Sequence, residues 1–130
     1  MSLTAETNKG TACRRILLVD DSADAAFAMS MLLEALGHEV RTEYDGTCAL
    51  DSIDDFRPDV VLLDIGLPGM SGLDVAREMR KRDATRDALL LALTGYGSAA
   101  DRQSALDAGF DHHLTKPVSI GALEALLTRA

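Results

Sequence analysis

Five side chains able to handle a phosphoryl group stand at the ends of short apolar runs in this 130-residue chain. Asp20 and Asp21 follow Arg15–Val19 (RILLV), and Asp64 follows Asp59–Leu63 (DVVLL). Thr94 follows Ala88–Leu93, and Lys116, itself followed by Pro117, comes just after Asp111–Leu114. Carboxylates crowded together repel, so such a site either keeps a proton or recruits a cation. A hard divalent ion is the natural answer, because magnesium takes one or two carboxylates, waters and a phosphoryl oxygen. A lysine supplies a point charge for another phosphoryl oxygen, and a hydroxyl can donate to a third. The set is suited to holding one phosphoryl group on an aspartate.

Those residues meet only if the apolar runs are neighbouring strands. Arg15–Val19, Asp59–Leu63 and Ala88–Leu93 are continuous Val/Leu-rich runs, as expected of strands buried on both faces. Glu39–Tyr44 and Asp111–Leu114 complete five strands. Helical spacing intervenes each time. A first helix capped by Ser22 and stopped by Gly37 is expected to turn Ala25, Ala28, Met29, Leu32, Leu33 and Leu36 inward. A second carries Ala49, Leu50, Ile53 and Phe56 before Pro58, and a third carries Val75, Ala76 and Met79 after the loop Ile65–Gly72. The fourth spans about Ser98–Ala108, and the fifth begins after Ser119 with Ile120, Leu123, Leu126 and Leu127 on one face. Strict alternation implies right-handed βαβ units: an α/β, flavodoxin-like, doubly wound five-stranded parallel sheet of order 2-1-3-4-5 with five helices. In such a sheet ligands bind beyond the C-terminal strand ends, which gathers Asp20, Asp21, Asp64, Thr94 and Lys116 on one rim.

Composition bounds the rest. The length allows one domain, expected over residues 14–130 behind a disordered leader at 1–13. A formal charge of −8 is the wrong sign for a surface that neutralises nucleic-acid phosphates, so no direct nucleic-acid partner is expected. The longest apolar stretch, Ala88–Leu93, is far short of a membrane span, and the first dozen residues lack the charge and apolar core of an export signal. A cytoplasmic protein, with no membrane partner, is the expectation. Cys13 and Cys48 form no paired or metal-binding spacing and read as free thiols.

The segments ILLVDD (Ile16–Asp21), VVLLDIGLPGMSG (Val60–Gly72), LALTGYG (Leu91–Gly97) and HHLTKPV (His112–Val118) resemble the receiver domain of bacterial two-component response regulators. The likeness spans residues 14–129. It implies a phosphoacceptor at Asp64 and a magnesium ion held by Asp20, Asp21, Asp64 and the backbone carbonyl of Gly66. It further implies a switch hydroxyl at Thr94, a phosphate-contacting Lys116 and a cis bond before Pro117. The implied partners are a histidine kinase or histidine phosphotransfer protein and a downstream output partner. The face of the fourth helix, fifth strand and fifth helix would change on phosphorylation, and a homodimer through that face is among the implied partners. The protein would catalyse only its own phosphorylation and dephosphorylation, and so is expected not to be a turnover enzyme.

Two motif positions depart from the family. His113 occupies the switch position usually held by Tyr or Phe, and Gly66 and Tyr96 stand where side chains tune phosphoryl lifetime. Other readings of the same residues are an N-cap role for Asp20 and Asp21, and a solvated surface position for Lys116. His112 and His113 are adjacent on a strand and point to opposite faces, so they cannot converge on one metal. At the level of function the alternatives are an unphosphorylated interaction module on this fold, or a phosphohydrolase with Asp64 as nucleophile.

Overall fold

The computed structural model describes residues 13–95 and 99–129. The leader up to Ala12, Tyr96 and Ser98 lie outside the described residues. Five strands, β1 (Arg15–Val19), β2 (Glu39–Glu43), β3 (Val60–Asp64), β4 (Leu89–Thr94) and β5 (His112–Thr115), form one parallel sheet in the order β2-β1-β3-β4-β5. The helices between and after them are α1 (Ala23–Ala35), α2 (Gly46–Phe56), α3 (Gly72–Lys81), α4 (Ala99–Ala108) and α5 (Ile120–Arg129). The expected fold class and strand order are both observed.

Successive strand side chains point to opposite faces, so β1 and β3 feed two cores. Leu17, Val19, Val61 and Leu63 pack with Ile53 of α2, Val75 and Met79 of α3, and Ala105 of α4. Ile16, Leu18, Val60 and Leu62 pack on the other side with Leu33 of α1 and Leu123 and Leu127 of α5. Every residue of β3 is buried, whereas the outer strands β2 and β5 are largely half-buried or exposed. None of the helices among the described residues is long and apolar enough to cross a membrane.

The strands β3, β4 and β5 sit one residue later than the apolar runs suggest, while β1 keeps its expected bounds and β2 stops at Glu43, one residue short of the expected Tyr44. Asp64 pairs in register with Leu93, and Thr94 with Thr115, so both polar residues remain in the ladder. Hydrogen bonding continues because it involves only the backbone and is indifferent to the side chain that ends the run.

Helix α1 corrects the expected inward face. Ala26 and Leu33 are buried and Met29 and Leu36 half-buried, while Ala25, Ala28 and Leu32 are exposed. Its sequence, ADAAFAMSMLLEA, is apolar nearly all round, so spacing alone offers no polar face to set the rotation. The other helices follow expectation: Ala49, Leu50, Ile53 and Phe56 of α2 and Val75, Ala76 and Met79 of α3 are buried. Gly37 ends the first helical segment at φ +98°, a conformation that side chains resist.

Candidate phosphoryl and metal site

Each acidic or polar group is placed by the end of its strand. Ser22, rather than Asp20 or Asp21, caps α1, its hydroxyl accepting from the Ala25 amide. This leaves the aspartates available. Asp20 is held by its own turn, because Oδ1 accepts from the Ser22 N–H at 2.9 Å. Asp64 repeats the device at the end of β3, where Oδ1 accepts from the Gly66 N–H at 2.9 Å. In both cases the second carboxylate oxygen faces the other strand ends.

Lys116 joins them. Its ammonium donates to Asp64 Oδ2 at 2.7 Å and to Asp20 Oδ2 at 3.4 Å. The Lys116 N–H also donates to the Thr94 carbonyl at 2.8 Å, and the Lys116–Pro117 peptide is cis. The solvated reading of Lys116 is thereby set aside. Partial burial disfavours the ammonium, but the hydrogen bonds and charges of Asp64 and Asp20 outweigh it and hold the Lys116 pKa above the ordinary 10.5.

Asp20 and Asp64 are buried, Asp21 is exposed, and one carboxylate oxygen from each lies within 4.8 Å of the others. An all-oxygen set with this spacing is suited to a hard divalent cation that keeps several waters. A second observation concerns the neighbouring strand. Thr94 Oγ1 is buried without a hydrogen-bond partner, an exception that asks for an acceptor. Phosphoryl oxygens would supply one. A Cβ at Gly66 would stand 3.7 Å from Asp64 Oδ1, an ordinary contact, so glycine leaves open room beside that carboxylate.

Gly72 is a positioning residue that pattern reading does not single out. A Cβ there would lie 2.4 Å from the Asp64 carbonyl oxygen and 2.7 Å from Ile65 Cα, so only glycine lets α3 start this close to the end of β3. Its N–H closes the loop by donating to the Ile65 carbonyl at 3.0 Å. The available signal is a glycine at the start of an otherwise strong helix, right after a Gly/Pro-rich loop.

The two histidines separate as expected of strand neighbours. His112 is exposed and His113 half-buried on β5, with His113 in register with Ala92. The far end of the sheet holds a groove of about 970 Å³ that includes Arg57, Asp59, Arg80, Asp83 and Arg86. Its charges alternate in sign, and Arg80 spends its donors on the carbonyls of Gly109, Arg86 and Ala88 and on Asp111. No charge converges there as it does on the Asp64 rim.

Comparison with known proteins identifies the family and the fold. The family model of the response regulator receiver domain matches residues 16–128. Among solved structures, the receiver domain of the sensor histidine kinase PA1611 from Pseudomonas aeruginosa, with magnesium coordinated in its active-site cleft, is 33% identical. It has a TM-score of 0.82 and covers 91% of this chain and 97% of its own. The chemotaxis protein CheY4 of Vibrio cholerae is 30% identical with a TM-score of 0.85, over 91% of this chain and 98% of its own. The beryllofluoride-activated DrrB receiver domain is 28% identical with a TM-score of 0.79, over 91% and 97% respectively.

Proposed function

Since the chain belongs to the receiver domain family of two-component response regulators, we propose that it takes a phosphoryl group from a phosphohistidine onto Asp64. The donor would be a histidine kinase or a histidine phosphotransfer protein. An Asp64 carboxylate oxygen forms the new bond to phosphorus as the phosphorus–nitrogen bond breaks, and the departing imidazole keeps the electron pair and takes up a proton. The protein's part in such a transfer is positioning and charge stabilisation, with little covalent work of its own.

Asp20, Asp21, Asp64 and the Gly66 carbonyl would hold magnesium, which when bound supplies neutralising charge beside the phosphoryl oxygens. The remaining roles fall to the chain itself. The Gly66 N–H fixes the rotamer of Asp64, and Lys116 gives up its contact with Asp64 Oδ2 to meet a phosphoryl oxygen. The Thr94 hydroxyl, buried and unpartnered, gains an acceptor on phosphorylation; this observation carries the reading. Movement of Thr94 at the end of β4, with Lys116 bonded to its carbonyl, would alter the adjoining face of α4, β5 and α5 and change its affinity for an output partner or a second copy. The protein would act on its own Asp64 alone, without turnover of an external substrate. The magnesium-bound and beryllofluoride-activated relatives support this reading by likeness of fold and sequence.

Incubation with acetyl phosphate and magnesium should yield a phosphoprotein that resists acid and is cleaved by base. Asp64→Asn should abolish it. Incorporation that survives in this variant, or with all divalent metal chelated, would overturn the assignment.

A further inference from the structure

Arg80 stands in the last turn of α3, at the opposite end of β4 from Thr94, with its side chain 24% exposed. Its guanidinium is shared among three separate stretches of chain. Nε donates to the Gly109 carbonyl at 2.8 Å, Nη1 to the Ala88 and Arg86 carbonyls at 2.8 and 2.9 Å, and Nη2 to Asp111 Oδ2 at 2.9 Å. One side chain of α3 thus holds the end of α4 and the starts of β4 and β5. Asp111 is tied a second time, because Oδ2 accepts from the Leu90 N–H at 2.9 Å and the Asp111 N–H donates to the Leu90 carbonyl at 2.8 Å. The end of α4 is shaped for this contact. Gly109, at φ +111°, closes the helix by donating to the Leu106 carbonyl, and the Phe110 N–H donates to the Ala105 carbonyl. A Cβ at Gly109 would lie 2.8 Å from Arg80 Cγ, so glycine is what lets the arginine stem cross there.

We propose that Arg80 is a positioning residue that pins the far ends of α4 and β5 to α3, so that displacement begun at Thr94 enters these elements from the rim and stops at Gly109–Asp111. The proposal rests on the reading of Asp64 as phosphoacceptor and adds where the resulting motion ends. The two ends of β4, roughly 17 Å apart by strand rise, are held differently. At the rim the Thr94 hydroxyl is buried without a partner, and the Lys116 ammonium that faces Asp64 has a second acceptor to fall back on in Asp20. Contacts there can be exchanged. At the far end every acceptor is bonded to one planar fork, whose N–H directions are fixed relative to one another and whose bonds are strengthened by its charge. Gly109, Ala88 and Asp111 therefore hold still together or let go together, as suits the fixed end of a moving element.

Amide NMR of the full chain, with and without beryllofluoride and magnesium, is the test. In the wild type the differences should be largest at Asp64–Gly66 and Thr94, decline along α4 and reach background at Gly109, Phe110 and Asp111. Arg80→Met keeps the aliphatic stem and removes every donor, so the differences at these three amides should grow by about threefold or more. Asp111→Asn, at an exposed position, removes the ion pair while leaving an acceptor for the Leu90 N–H, and should give a smaller spread of the same kind. It carries the test if Arg80→Met does not fold. An arginine that only stabilised the fold would alter the resting spectrum and leave the difference map ending where it does in the wild type. That result would overturn the proposal, as would wild-type differences at Gly109–Asp111 equal to those at Arg102–Leu106. If beryllofluoride moves neither Asp64 nor Gly66, it is the phosphoryl reading that fails. The pin is then read from hydrogen exchange without beryllofluoride: in the variant the Phe110 and Asp111 amides should exchange about tenfold faster while the Lys116 amide keeps its rate, and unchanged exchange at all three would remove the pin.

Discussion

The Lys116 ammonium and the Asp64 carboxylate stand 2.7 Å apart although 52 positions separate them in the chain. They form an ion pair in which Asp64 is nearly enclosed and Lys116 is about one-third exposed. In the resting protein each partner therefore neutralises the other. Arrival of a phosphoryl group on Asp64 would replace a carboxylate contact with a phosphoryl one and keep the ammonium satisfied.

Lys116→Ala should leave magnesium binding in place yet uncouple modification of Asp64 from α4. With beryllofluoride, amide shifts should appear around Asp64 and fail to reach Arg102–Ala108. Normal propagation of shifts in the variant would contradict the role. The pair also has an alkaline signature: the Lys116 pKa is raised on folding, so its stabilisation is complete below the ordinary 10.5 and fades as pH climbs through the folded value. Unfolding curves of wild type and variant should converge in strong alkali.

Asp21 is the exposed member of the carboxylate cluster. Asp21→Ala removes one candidate ligand and one repulsive charge, so stability without metal should hold or rise and the magnesium-induced gain in Tm should shrink. A variant with the full magnesium-dependent shift would exclude Asp21 from the ligand set.

Gly72→Ala forces a methyl group into the Asp64 carbonyl and Ile65 Cα. The backbone must yield, at a cost of about 1–3 kcal/mol, and Asp64 moves with it. Chemical denaturation should show the loss, and the rate of acetyl phosphate labelling should fall more than stability alone explains. An alanine variant with unchanged stability and rate would show that the loop yields freely.

His38 is buried, with Nδ1 accepting from the Arg14 N–H at 3.0 Å, so its neutral form is the one built into the fold. Burial first, and then the Arg14 charge, lower its pKa from 6.5, against a smaller opposing pull from Glu124. The unfolded chain thus takes up the proton more readily, and this contribution to stability is present above pH 6.5 and lost as pH falls below it. His38→Gln should flatten the stability profile between about pH 7 and 5. An unaltered acid slope in the variant would assign that slope to other groups.

Much of the molecule is legible before any coordinates. The runs ending at Val19, Leu63 and Leu93 are apolar without a break because both sheet faces are covered, and that continuity identifies the central strands. Alternation with helices then implies a parallel sheet, and the observed order brings Asp20, Asp21, Asp64, Thr94 and Lys116 to a single rim. Tertiary structure alone decided the rotation of α1. Its residues are apolar on every side, and packing against β1 and β2 chose Ala26 and Leu33 over Leu32. It also decided that Gly72 must be glycine, because the atoms excluding a Cβ belong to the preceding strand end. The Asp111 carboxylate is likewise claimed by Arg80, a partner 31 positions away on α3. Periodicity records which side chains leave water. Which atoms meet across the fold depends on how separate elements are set against one another, and that information is not local to any stretch of chain.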